Sequence, residues 1–313
     1  MSAPTNSTAR IGLLYGLGAY VLWGLVPLYF KNVQAVPPRE MLAHRIVWSA
    51  LLLSILLAIA GKLKQLAAVF RSRHALTFLL LSTIFIASNW YVFIYSVLTG
   101  QILQGSLGYF ILPLVNVAVG TIFFGERMRF PQWIALCFAI VGVLVLIFWL
   151  GLFPWIALTL AFSFSAYGIL RKHAPVESTV GLTVETLILT PLALGCLLMW
   201  GASGTLAFGH GNRDIDVLIA LSGIVTTIPL ILFGQAVQRL RIVTIGFLQY
   251  ISPSLAFLIA VLHYDETFPP AYQVGYGMIW CGLAVFVGDA IWRARRPKEE
   301  IEVRKEAEVV PLD

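Results

Sequence analysis

Polar and charged residues do not alternate with apolar ones along this chain. They gather in short clusters that punctuate apolar runs of about 20 residues, the length an α-helix needs to cross the hydrocarbon core of a bilayer. Ten such runs can be drawn, roughly at 11–30, 42–60, 76–98, 102–124, 132–150, 153–171, 180–200, 215–237, 243–262 and 272–292. The pattern therefore predicts an all-α polytopic membrane protein of ten transmembrane helices, with connections too short to hold a soluble domain. The first run, Ile11 to Phe30, is longer than the core of a signal peptide and is expected to stay in the mature protein.

Composition agrees. With 59% hydrophobic and 12% charged residues, the chain has too little polar surface to face water all round. The lipid bilayer is thus its first partner. Cys137, Cys196 and Cys281 lie far apart inside apolar runs, so small buried hydrophobes are expected there, with no disulfide framework, metal or cofactor. The net charge of +6 would suggest nucleic acid in a soluble protein. Here the basic residues sit between runs, no nucleic acid is expected, and the charge reports on orientation instead. Seventeen of the 21 lysines and arginines fall in the N-terminus, the even-numbered loops and the tail, and three in the opposite set, leaving Arg45 inside a run. The positive-inside rule places both termini, including the tail cluster Arg293, Arg295 and Arg296, in the cytoplasm.

Two stretches echo each other. Shifting the chain by 140 positions lays SLGYFILPLVNVAVGTIFFGERMRFPQW (Ser106–Trp133) on GFLQYISPSLAFLIAVLHYDETFPPAYQ (Gly246–Gln273). Ile111 then meets Ile251, Pro113 meets Pro253, Glu126 meets Glu266 and Gly142 meets Gly282. Five runs precede the second copy, an odd number, so the halves are expected to cross the membrane in opposite directions. The expected organisation is a cytoplasmic N-terminus at 1–10, a five-helix repeat at 11–150, its inverted counterpart at 153–292 and a cytoplasmic tail at 293–313. Inverted repeats let each half adopt the other's conformation and open a central site to alternate sides.

Such halves, with a Pro–Glu–Gly skeleton in each, resemble the drug/metabolite transporter superfamily and its EamA domains. YVLWGLVPLYFK (Tyr20–Lys31), EMLAHRIVWS (Glu40–Ser49), SNWYVFIYSV (Ser88–Val97), SLGYFILPLVN (Ser106–Asn116), GLTVET (Gly181–Thr186) and LQYISP (Leu248–Pro253) are similar to its RarD branch, across about residues 10–292. That branch commonly carries an acidic residue two before the SLGYF serine and an Asn before the proline. Here those positions are Gln104 and Leu112. The resemblance implies a secondary transporter, an exporter of small metabolites, amino acids or drugs across the bacterial inner membrane, with a homodimer left open.

Several residues inside the runs could serve transport. Pro113 and Pro253 each remove a helix hydrogen bond near mid-run, and Pro229 does so where Asn89 stands in the other half; these are hinge candidates, with static kinks as the alternative. Arg45 and Glu185 are matched by the shift, each about one and a half turns into its run. Charge in hydrocarbon is costly enough to suggest a substrate, gating or pairing role, with snorkelling as the alternative, but inversion sets the two near opposite faces, so no direct salt bridge between them is expected. Trp23, Asn89, Trp90, Gln104, Tyr109, Gln249 and Tyr250 supply the aromatic and amide groups a small amphipathic molecule needs, although aromatics also anchor helices at the interface. Glu126 and Glu266 are expected to cap the next helix or fix its loop.

No phosphate-cradling loop, zinc spacing or nucleophile elbow is present, and an enzyme is not expected. A facilitative uniporter or importer remains open, since buried acids are few. A membrane-embedded enzyme or a lipid scramblase is the reading of another class; the first would need ionisable groups converging at one depth, the second a polar groove facing lipid.

Overall fold

The computed structural model describes residues 6–99, 101–151, 153–210, 213–263 and 270–294. Glu266, Arg295 and Arg296 lie outside them. The helices are α1 (Asn6–Lys31), α2 (Pro38–Ile59), α3 (Leu63–Arg71), α4 (Arg73–Leu98), α5 (Ile102–Ile122), α6 (Phe130–Leu150), α7 (Trp155–His173), α8 (Ser178–Ala202), α9 (Arg213–Arg239), α10 (Ile242–Gln249), α11 (Ile251–His263) and α12 (Pro270–Ala294). Their ends follow punctuation visible in the chain: Pro38 and Pro131 open helices at positions where a missing N–H costs nothing, and Gly151 closes α6 in the left-handed conformation.

Nine helical stretches among the described residues are long and apolar enough to span a bilayer, α10 and α11 counting together as Ile242–His263. The helix at Trp155–His173, expected as the sixth span, is not among them. Leu63–Arg71, a nine-residue helix, occupies what the sequence suggested was a plain connection. Large apolar side chains such as Leu14, Ile59, Ile84, Phe123, Phe148 and Leu198 are exposed on the outer surface. A polytopic membrane protein meets hydrocarbon there. Cys137 and Cys281, expected to be buried, are also exposed, and Cys196 is partly so; a small thiol on a lipid-facing surface needs no polar partner, which is why apolar surroundings in sequence did not imply burial.

Helix α1 packs on α9 and α11, α4 and α5 pack on α7, α2 packs on α8 and α9, α10 on α5, and α6 on α12. With lipid as apolar as leucine, such contacts depend on close approach and on polar links rather than on burial alone. The α6–α12 crossing shows the first: a Cβ on Gly142 would stand 2.7 Å from the Gly275 carbonyl oxygen, and one on Gly282 would stand 2.6 Å from that of Ala135. Only missing side chains let these backbones touch.

Candidate functional site

A cavity of about 290 Å³ opens where α1, α2, α4, α5, α7, α9, α10 and α11 converge. Helix α1 contributes Tyr20, Trp23 and Phe30 to its wall, α4 contributes Asn89, Trp90 and Phe93, α5 contributes Tyr109, and α7 contributes Phe164. These rings share the wall with aliphatic side chains such as Val26, Leu112 and Leu230. Tyr20 and Trp23 pack against Phe233, and Trp23 meets Phe164 edge-on with centroids 5.8 Å apart. Such offset contacts hold the rings in place.

Arg45 enters this wall from α2. Its Nε donates to Thr226 Oγ1 of α9 at 2.8 Å, and its guanidinium carbon stands 5.7 Å from the Phe30 ring centroid and 5.8 Å from that of Trp90. No carboxylate stands among the lining residues, and Arg45 forms no ion pair among the described residues. Its cation is thus held by one hydroxyl and two ring faces. Position dictates this: Arg45 and Ser49 stand four positions apart, which puts both on the face of α2 that meets α9, and Ser49 Oγ donates to the Gly223 carbonyl there.

Polar groups deeper in the wall are tied together. Ser165 Oγ of α7 donates to Asn116 Oδ1 of α5 at 2.6 Å, and Asn116 Nδ2 donates to Gln249 Oε1 of α10 at 2.6 Å. The Tyr20 side chain lies against the same glutamine. Asn89 Nδ2 donates to the Leu160 carbonyl and to Ser163 Oγ, at 2.9 and 3.0 Å, joining α4 to α7. Neither Asn116 nor Ser165 was singled out in the sequence, because a lone Asn or Ser in an apolar run gives no sign of its partner.

Of the seven residues expected to line a cavity, Trp23, Asn89, Trp90, Tyr109 and Gln249 do. Gln104 and Tyr250 do not: Gln104 is buried beside Gln101, accepting nothing and donating to that side chain at 3.1 Å, and Tyr250 donates to the Phe110 carbonyl at 3.3 Å. Pro253 lines the cavity, just beyond Tyr250, where the chain passes from α10 to α11. Pro113 and Pro229 sit inside helices that run on without interruption and outside the lining.

Glu185 is elsewhere. It accepts from Ser82 and from Tyr167, and its Oε1 lies 3.6 Å from Arg171 Nη1, with both side chains almost wholly buried. Arg171 also donates through Nη2 to the Ser178 carbonyl at 2.6 Å, and Gly181 leaves room for its head, since a Cβ there would collide with Nη1. The seventeen basic residues counted in the N-terminus, even-numbered loops and tail include Arg171 and Lys172, which the count sets together in the loop after the sixth run. That assignment is corrected: Arg171 turns inward, whereas Lys172 donates to the Val237 and Leu240 carbonyls at the end of α9, where a cation suits the helix dipole.

Glu126 needs a smaller correction. It caps a distant helix rather than the next one: its two carboxylate oxygens accept from the Ile242 and Val243 amides, at 2.8 and 2.9 Å, in the first turn of α10. Arg241 Nε lies 3.6 Å from it.

Comparison with known proteins adds to this geometry. Residues 10–148 match the EamA-like transporter family. Protein RarD of Escherichia coli is 43% identical over 287 residues, which cover 92% of this chain and 97% of that protein. A relative from Vibrio cholerae described as an uncharacterized transporter is 38% identical, over 92% of this chain and 95% of its own. The chloramphenicol-sensitive protein RarD of Pseudomonas aeruginosa is 34% identical, over 87% and 92%. A solved crystal structure superimposes with a TM-score of 0.67 at 19% identity, covering 93% of this chain and 99% of the other. At that identity it speaks to the fold alone.

Proposed function

Because the chain belongs to the EamA-like transporter family, and to the RarD branch of the drug/metabolite transporter superfamily, we propose that it is a secondary transporter that moves a small metabolite, amino acid or drug across the bacterial inner membrane by alternating access. The observation that carries this reading is the cavity itself, walled by aromatic rings, with Arg45, Asn89 and Gln249 as its fixed polar points. A volume of about 290 Å³ is near the lower end of small-molecule sites, which run from about 300 to 1,000 Å³.

Alternating access needs two structural halves that can exchange roles. The 140-residue shift is matched by helix neighbours: α1 lies on α9 and α11, and α7 lies on α4 and α5. It is matched again at α6–α12, where Gly142 faces Gly275 and Gly282 faces Ala135, each contact being the other displaced by the shift. These correspondences support two five-helix units of opposite direction, with α7 as the tenth span. Pairings such as Lys62 with Glu177 and Arg129 with Asp289 join the basic loops after α2, α5, α7 and the end of α12. Gathering them on one side supports cytoplasmic termini.

Export is the direction we propose. Uniport is the second reading, and the absence of any carboxylate from the described lining favours it. Purified protein in proteoliposomes, given labelled metabolites with and without a pH gradient, tests both. Saturable uptake that Arg45→Ala abolishes is expected; rates indifferent to the gradient would select uniport, and no uptake of any solute would remove the transport reading.

A further inference from the structure

We propose that the cavity selects a monoanion with an aromatic body, a carboxylate that bears an aryl group rather than a zwitterion or a cation. This rests on the transport reading only for its setting, since the observations concern the site's charge.

Three of them converge. First, Arg45 lines the cavity and meets no carboxylate among the described residues. A partly buried cation with no counter-ion among the described residues is unfavourable, and a bound anion relieves it. Second, the protein's own hydrogen bond uses Nε, on Thr226. The two Nη groups have no hydrogen bond to described residues, and they form the end of the guanidinium fork that matches both oxygens of one carboxylate. Third, apart from the uncharged polar groups of Asn89, Thr226, Gln249 and Ser252, the rest of the wall is ring and alkyl surface, with Phe30 and Trp90 flanking the guanidinium itself at 5.7 and 5.8 Å. A ligand's ring can stack on these rings while its acid reaches the fork.

The same facts tell against other charges. An ammonium group would find ring faces but no carboxylate in the described lining, and the Arg45 cation would repel it. A phosphate dianion would need a second cation, and Arg45 is the sole lysine or arginine in the described lining. Glu185 does not alter this balance, because Arg171 already holds it outside the lining.

Four compounds that share one phenylpropyl body and differ in the head group isolate the charge: 3-phenylpropionate, phenylalanine, 3-phenylpropylamine and 3-phenylpropanol. Labelled 3-phenylpropionate is bound to the purified full-length protein and displaced by each. The acid is expected to bind saturably and to displace label at concentrations at least tenfold below the other three. Arg45→Gln should weaken binding more than tenfold, and Arg45→Lys, which keeps the charge but loses the fork, should fall between. No saturable binding, displacement by the amino acid or amine as good as by the acid, or full affinity in Arg45→Gln would each overturn the proposal. If Arg45→Gln does not fold, the displacement order in the unaltered protein decides by itself. Counterflow of the same acid in proteoliposomes separates this site from the transport reading. Binding without counterflow leaves the anion site standing and removes the transporter, whereas counterflow of another solute by protein that ignores the acid does the reverse.

Discussion

Arg171 and Glu185 face each other at 3.6 Å from adjacent helices, each side chain almost sealed from solvent. Breaking a buried pair by removing one member leaves the other charged and unpaired, at a cost of about 3–5 kcal/mol, whereas replacing both with apolar groups of similar size is often tolerated. Glu185→Gln and Arg171→Gln are therefore each expected to lower the thermal unfolding midpoint of the purified protein sharply. The double change Arg171→Met with Glu185→Leu should recover most of the loss. Losses that simply add in the double variant would show that the two side chains are not coupled.

Glu126→Ala removes the acceptor of two amides at the start of α10. Loss of a cap costs about 0.5–2 kcal/mol. Amide hydrogen exchange should report it locally, as faster exchange at Ile242 and Val243, with amides in α12 unchanged. Uniformly faster exchange would mean that the residue supports the whole fold instead.

Four glycines provide a matched comparison. Gly142→Ala and Gly282→Ala place a methyl group against a facing backbone, and overpacking of this kind costs about 1–3 kcal/mol. At Gly277 and Gly288, in the same helix as Gly282, a Cβ meets nothing within 4 Å. Alanine there should be neutral or favourable by up to about 1 kcal/mol, from helix propensity alone. Unfolding midpoints of the four variants read the contrast directly, and equal midpoints would contradict the close α6–α12 approach.

Cavity lining and mere burial are separable by function. Trp90→Ala removes a ring beside the Arg45 guanidinium, an interaction worth about 0.5–2 kcal/mol, so uptake should fall by about twofold to thirtyfold. Gln104→Leu, outside the lining, should leave uptake within about twofold. Equal effects of the two would move the transport route away from this cavity.

The helices were legible in the chain because hydrocarbon thickness imposes a length, and observed ends lie within a few residues of the apolar runs. What faces what was not. Gln104 and Tyr109 have equal claims by residue type, but five positions rotate a helix by about 140°, so only one of them reaches the cavity. Gln249 and Pro253, four apart, share a face and both line it, whereas Tyr250 is turned about 100° from its neighbour. Arg171 was misread because it ends an apolar run and precedes a lysine, and a cation facing water is spelled the same way as one facing a buried acid. The cap at Glu126 was hidden by distance, its partners lying 116 and 117 residues further on.

Helix α7 is the one long helix among the described residues, between the first and the last, that falls outside the apolar spans, because Arg171 and Lys172 occupy its last turn. It also carries Ser163 and Ser165, which meet Asn89 of α4 and Asn116 of α5. On the ten-span reading, this orders the events at the ribosome. The translocon releases α4 and α5 into lipid before α7 is made, so the hydroxyls of Ser163 and Ser165 are received by amides already in place, where interhelical hydrogen bonds await them. Its entry is then templated by helices synthesised earlier, and the second half of the molecule is assembled upon the first.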